Sequence, residues 1–185
     1  MRRSSGQPFE SRGVSHDEFD VLVATHHSEI YTYLMLVTGR VSDAHELSQR
    51  TFLRALETRR SLGLGAFARL RLFGIATDLC QKCVQSRSSR SRACKPRVED
   101  DGGASNCHAK HPVLLAMAGL SVKQRMAFAL RKIHEFEYER VGHLLKCSSQ
   151  SARVCAMQAL RKISQEQPLR STLGSLIMTT PTVKE

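Results

Sequence analysis

The chain has 185 residues, 41% of them hydrophobic, which allows one or two domains with small cores of ordinary globular kind. Lys and Arg number 28 against 17 Asp and Glu, and the resulting net charge of +11 favours a polyanionic partner, either nucleic acid or an acidic membrane surface. No apolar run approaches the roughly 18–20 residues that span a bilayer, and no apolar signal core follows the N-terminal arginines; a cytosolic protein is expected, and its six cysteines read as free thiols or metal ligands.

Residues 1–14 are rich in Arg, Ser and Gly and read as a basic, flexible tail. Ser15 and Glu18 then stand in capping-box positions. Phe19, Leu22, Val23, Ile30, Tyr33, Leu34 and Val37 recur mostly by threes and fours until Gly39, which predicts a long amphipathic helix. Ser42 is placed to cap a second helix over 43–60, whose apolar face holds Ala44, Leu47, Thr51, Ala55 and Leu56, with Phe52 at its edge. SLGLG at 61–65 reads as a flexible turn, and a third helix is expected over 66–84, with Gly74 inside it. Charge is segregated along this half: 17–60 has seven acids against five bases, and 61–97 has eight bases against the single acid Asp78.

From 86 to 111 the composition is that of a linker, with serines, arginines, acids and paired glycines. Pro112 opens a short helix, and Ser121 can cap the next, VKQRMAFALRKIHEF, with Met126, Ala127, Leu130 and Ile133 facing inward. All five prolines lie in tails or at linker edges, and no stretch alternates as a strand would. The predicted fold class is all-α: a first bundle at 15–92 and a second at 112–166, joined by a flexible linker at 93–111 and followed by a tail at 167–185.

Within the second bundle, Val141, Leu144 and Leu145 form one helical stripe, and Ala152, Cys155, Ala156, Ala159, Leu160 and Ile163 form another. Lys146, Cys147 and Ser148 interrupt them. Two short helices meeting across such a turn make a helix-turn-helix pattern, whose second helix would enter the major groove. The start of that helix carries Ser148, Ser149, Gln150, Ser151 and Arg153, side chains suited to base edges and phosphates.

Two segments resemble the extracytoplasmic-function sigma factors, small members of the bacterial sigma-70 family: DAHELSQRTFLRAL at 43–56 is similar to a motif of the family's second conserved region, and GLSVKQRMAFALRKIHEFEYERVGHLL at 119–145 to its fourth. The resemblance implies a promoter-specificity subunit of RNA polymerase, with core polymerase, promoter DNA and an anti-sigma protein as partners and no cofactor. It implies core-polymerase contacts at Asp43, Glu46, Leu47, Gln49 and Phe52. The −10 element would be read and opened by 61–67 and by a helix bearing Arg69, Arg71, Lys82 and Arg87. The −35 element would be read by Ser149, Gln150, Ser151, Arg153, Gln158 and Arg161, with Lys146 on a phosphate. Gly142 fits where a small residue, usually Ala in the family, lets the two helices pack. Arg71 stands in place of the family's usual aromatic, Asp78 in place of an Asn, Arg140 in place of an acid and Lys146 in place of a Gly. The chain has no Trp, and Phe67 and Phe73 read as core residues.

Other readings remain open. A conventional helix-turn-helix regulator would bind its operator without polymerase, ordinarily as a dimer on repeated half-sites. Cys80 and Cys83, one helical turn apart, could join Cys94, Cys107, His108 or His111 in a zinc or redox site, although both continue the stripe of Leu72, Ile75, Ala76 and Leu79 and so read first as core. An enzyme is not expected: the eight histidines are scattered, with His26 and His27 edging a helix surface, and no nucleophile motif, phosphate loop or carboxylate pair occurs.

Overall fold

The computed structural model describes residues 14–59, 62, 65–93 and 112–165, with the side chains of 87–93, 112 and 114 outside the description. The basic tail before Val14, most of the 61–65 turn, the 94–111 linker with Cys94, Cys107, His108 and His111, and the tail from 166 onward lie outside the described residues. The elements are α1 (His16–Thr38), α2 (Val41–Glu57), α3 (Ala66–Ala93), α4 (Pro112–Ala118), α5 (Val122–Phe128), a π turn (Ala129–Ile133), α6 (Tyr138–Leu144) and α7 (Ser149–Gln165). No strand occurs among the described residues, and the fold is all-α.

Local chemistry sets most boundaries. Ser15 Oγ accepts the Glu18 N–H and the Glu18 carboxylate accepts the Ser15 N–H, so two otherwise unpaired donors are satisfied at the start of α1. Gly39, at φ +70°, closes α1 in the left-handed conformation. Ser121 and Gln124 make the same reciprocal cap at α5. The start of α2 departs from the predicted one: the helix begins at Val41 with Arg40 as its cap residue, so Ser42 lies inside the first turn and caps nothing. Asp43 in that turn supplies the negative charge that a helix start favours. Helix α3 runs past Val84 to Ala93, because its serines and arginines include neither Gly nor Pro to break it.

The predicted helix through Phe136 does not persist. The ladder widens after Phe128 into a π turn; the His134 N–H reaches Ala129 O and the Phe136 N–H reaches Leu130 O, each at 3.0 Å, and Glu135 takes φ +59°. Packing explains the change. It brings His134 and Phe136 into the interior, where the Phe73 ring lies 4.7 Å from His134 and 5.0 Å from Phe136 between centroids.

The core is continuous through both bundles. Ile30, Tyr33 and Leu34 of α1, Leu72, Phe73 and Ala76 of α3, and Met126, Ala127 and Leu130 belong to one buried cluster. Cys80 is fully buried in it as a small filler and Cys83 partly so. Tyr33 is entirely buried, and its hydroxyl shares a 2.8 Å hydrogen bond with Thr77 Oγ1; burial pushes that hydroxyl's pKa up, and the Thr77 bond opposes the rise.

Two arginines clasp the bundles together. Arg125 donates to Val37 O, Leu120 O and Ala118 O, each at 3.1 Å, so one guanidinium serves the C-terminal carbonyls of α1 and α4, neither of which has a basic residue in its own last turn. Arg69 pairs with Glu29 at 2.9 Å, donates to His134 O at 3.1 Å and lies over the Phe136 ring at 4.6 Å. Burial alone would raise the Glu29 pKa, but the Arg69 hydrogen bond and charge, aided by His26, hold it below the usual value.

Candidate nucleic-acid interface

Helices α6 and α7 form the hairpin that the two apolar stripes predict. Val141, Leu144 and Leu145 are buried against Ala152, Ala156, Ala159 and Ile163, and Cys155 and Leu160 are partly buried. The close approach depends on Gly142, where an added Cβ would stand 2.8 Å from Cys147 O and 3.1 Å from Ser149 N. Helix α6 closes with the Cys147 N–H on Gly142 O at 2.9 Å and the Lys146 N–H on His143 O at 3.3 Å. These bonds are those of a Schellman end, with Lys146 at φ +52° in the position that glycine usually takes. Ser148 then caps α7, its Oγ accepting the Ser151 N–H at 3.1 Å.

The α7 candidates divide along the helix. Ser149, Gln150, Ser151 and Arg153 are all exposed on its first turns, where Gln150 and Arg153 border a cleft with Glu137, Tyr138 and Glu139. Gln158 and Arg161 lie further along, roughly 13 and 18 Å from Ser149 at 1.5 Å per residue, and Gln158 accepts a 3.0 Å hydrogen bond from Gln124 of α5. Sequence reading missed Val154 and Met157 on the same outer face, 44% and 54% exposed. Their signal is an apolar residue outside the buried stripe, and in a groove-reading helix such groups suit a thymine methyl. Lys146 makes a 2.8 Å ion pair with Asp78 of α3, a link between bundles that spacing could not reveal.

The candidates on α2 divide by depth. Glu46 and Gln49 are exposed, Glu46 pairing with Arg50 at 3.1 Å and Gln49 with His45 at 3.1 Å. Asp43, Leu47 and Phe52 are buried, Asp43 with Arg40 Nε at 3.9 Å and Phe52 against the His27 ring at 5.8 Å. Leu53, 61% exposed and one turn beyond Gln49, shares the outer face and was not singled out by its sequence context.

On α3, Arg71 and Lys82 are exposed and the side chain of Arg87 lies outside the described residues. Arg69 does not join them: its clasp with Glu29 and His134 O turns it to the seam between bundles. Phe67 also corrects the expectation. It is 76% exposed, while Phe73 is core as expected.

His134 was not foreseen as important, yet it sits at the seam with Nε2 lacking a hydrogen-bond partner among the described residues. Burial pushes its pKa down to about 4; Glu29 opposes this and Arg69 adds to it. Among the described residues no cluster of three or more His, Cys, Asp or Glu is arranged to hold a metal ion, and no helix is long and apolar enough to cross a membrane.

The fold is thus an all-α pair of packed bundles, the second ending in a helix-turn-helix. No family model matches the sequence, and no curated protein matches it. Among solved structures, the chain is similar to the sigma factor RpoE from Bartonella quintana, in its co-crystal structure with the anti-sigma factor NepR. The TM-score is 0.69 at 16% sequence identity, and the match covers 83% of this chain and 99% of that one. At that identity the likeness is one of fold.

Proposed function

We propose that this chain is a sigma factor, a subunit that binds core RNA polymerase and directs initiation at promoters through their −10 and −35 elements. The group we assign is the extracytoplasmic-function group of the sigma-70 family, acting in the bacterial cytoplasm. The supporting observation is the coincidence of two independent features: a fold similarity spanning 99% of RpoE, and family-like motifs at 43–56 and 119–145 that fall on α2 and on the α5–α6 segment.

In this reading the outer face of α2, with Glu46 and Gln49, engages a basic surface of polymerase through charge-assisted bonds, and Asp43, Leu47 and Phe52 support it from beneath. Arg71, Lys82 and Arg87 approach the −10 DNA, and Arg69 joins them only when the seam opens. Ser149, Gln150, Ser151 and Arg153 read the −35 groove, with Lys146, Gln158 and Arg161 beside the backbone. Neither module needs to bind promoters tightly alone, because polymerase holds both at a fixed separation and so raises their effective concentration. The chain supplies recognition, no cofactor and no chemical step; polymerase makes the RNA. RpoE is seen with NepR, and we extend an anti-sigma partner to this chain as well.

Binding of purified core polymerase by the labelled full-length chain tests the reading. Saturable binding is expected, weakened about tenfold or more by Glu46→Lys, the scale of one lost charge-assisted contact. A native chain that does not bind core polymerase overturns it.

A further inference from the structure

Large apolar side chains are exposed at few places among the described residues: Val21, Leu53, Phe67 and Leu115 stand one to a helix on α1–α4, whereas Val154 and Met157 share α7. Single exposed apolar residues are ordinary on a protein surface, but a pair aligned on one face calls for a partner. Gln150, Val154, Met157 and Arg161 follow at intervals of four, three and four, so they form one line along α7. Each stands two residues before a member of the buried line Ala152, Ala156, Ala159 and Ile163, about 200° around the helix from it. The apolar pair therefore faces directly outward, at the centre of a line whose ends are an amide and a guanidinium.

The charge around this line decides what it meets. Helix α7 carries the bases Arg153, Arg161 and Lys162, all exposed, and no acid. Glu137 and Glu139 border Gln150 and Arg153 at the near end, so phosphates are favoured beside Arg161 and Lys162 at the far end. A helix so charged matches a polyanion along its flanks, while its outermost line must lie against something apolar. The major groove of DNA offers such a group in the C5 methyl of thymine. Cytosine and guanine would instead bring an amine or a carbonyl against Val154 or Met157 and leave it without a partner. Val154 and Met157 lie about 4.5 Å apart along the helix axis, against about 3.4 Å between stacked bases, so they reach neighbouring base pairs.

We propose that Val154 and Met157 select thymine in the −35 element by packing against its C5 methyl. The inference rests on the promoter reading above, to which it adds a pair of residues and the base they specify.

The test uses holoenzyme, core polymerase with the full-length chain, and the promoter fragment it selects from a pool randomised over the −35 element. Thymine is expected in the selected element. Replacing that thymine by deoxyuridine removes the methyl and keeps the pairing, and should weaken promoter binding about fourfold, the worth of one buried methyl. The penalty should vanish in the double variant Val154→Ser, Met157→Gln, whose substitutions lie at exposed positions. Deoxyuridine in the −10 element should affect parent and variant alike. A selected −35 element without thymine, or a deoxyuridine penalty as large in the variant as in the parent, overturns the assignment, while polymerase-dependent initiation leaves the promoter reading standing. Failure of the native chain to bind core polymerase overturns both. Deoxyuridine tolerated by the parent, together with a loss of core affinity or of self-association in the variant, gives the face to a protein partner and also overturns the assignment.

Discussion

Gly142 and Gly74 both lie inside helices, so each forgoes the same intrinsic preference for alanine, and only their surroundings differ. At Gly142 a methyl would meet backbone at 2.8 Å, and backbone on the far side of a tight turn cannot swing aside as a side-chain tip can. At Gly74 it would meet one leucine methyl at ordinary contact distance. Gly142→Ala should therefore destabilise the fold by about 1–3 kcal/mol, as overpacking does, and Gly74→Ala should stabilise it by about 0.5–1 kcal/mol. Urea unfolding of the two variants checks both signs; a neutral Gly142→Ala would contradict the close approach of α6 and α7. His134 carries a second prediction. Its folded pKa of about 4 lies below the ordinary 6.5, so between those values the unfolded chain takes up a proton that the folded chain refuses. Its contribution is complete above pH 6.5 and is lost as the pH falls from 6.5 towards 4, by on the order of 3 kcal/mol. The lowered pKa of Glu29 acts in the same direction at still lower pH. His134→Phe keeps a ring in the aromatic cluster and removes the titrating group, so denaturation midpoints measured from pH 7 to 4 should flatten in that variant. An unchanged slope would place the acid sensitivity elsewhere. The need for a small residue at Gly142 was anticipated through the resemblance to the sigma-factor family, not from the stripes themselves. The role of His134 was not, because its partners Tyr33, Phe73 and Arg69 are remote in the chain.

At the scale of elements, the helices that close their own ends were the legible ones. Ser15 with Glu18, Gly39, and Ser121 are local signals acting within four residues, and the structure uses each as its chemistry suggests. Other elements departed from the local signals. Ser42 offered a cap that α2 did not use, and the segment after Phe128 trades a regular helix for a π turn because burying His134 and Phe136 satisfies more surface than continuing the ladder. Phe67 failed for a related reason: apolar character predicts burial, yet its place in the first turn of α3 points it to solvent. Helix α7 carries the prediction at this scale. Arg153 is exposed on the second turn beside Gln150 and far from the buried stripe, so Arg153→Ala should weaken −35 recognition about tenfold or more, the discrimination that one base-edge contact supplies, while leaving thermal stability within about 0.5 kcal/mol. Footprinting with polymerase on promoters carrying altered −35 bases reads the effect; the same base preference in variant and parent removes Arg153 from readout.

Across the whole molecule, the charge segregation seen in the sequence becomes a physical arrangement. Glu29 of α1 meets Arg69 of α3 at the seam, while Arg71 and Lys82 of α3 and Arg153, Arg161 and Lys162 of α7 stay exposed. The clasps made by Arg69, Arg125 and Lys146 hold two bundles that sequence composition presented as tethered modules. Composition cannot report contacts between the parts a linker joins, and it read 86–93 as linker where α3 continues. Those clasps also occupy Arg69 and Lys146, two of the cations assigned to promoter DNA, so binding promoter through them requires their ion pairs to open. Transcription in vitro by core polymerase, with and without the full-length chain, on a library of promoter fragments tests the central claim most directly. The account predicts start sites that appear only when the chain is present, and whose shared −10 and −35 sequences define its promoters. Binding of promoter fragments by the chain alone, with no new start sites in the presence of core polymerase, would contradict it.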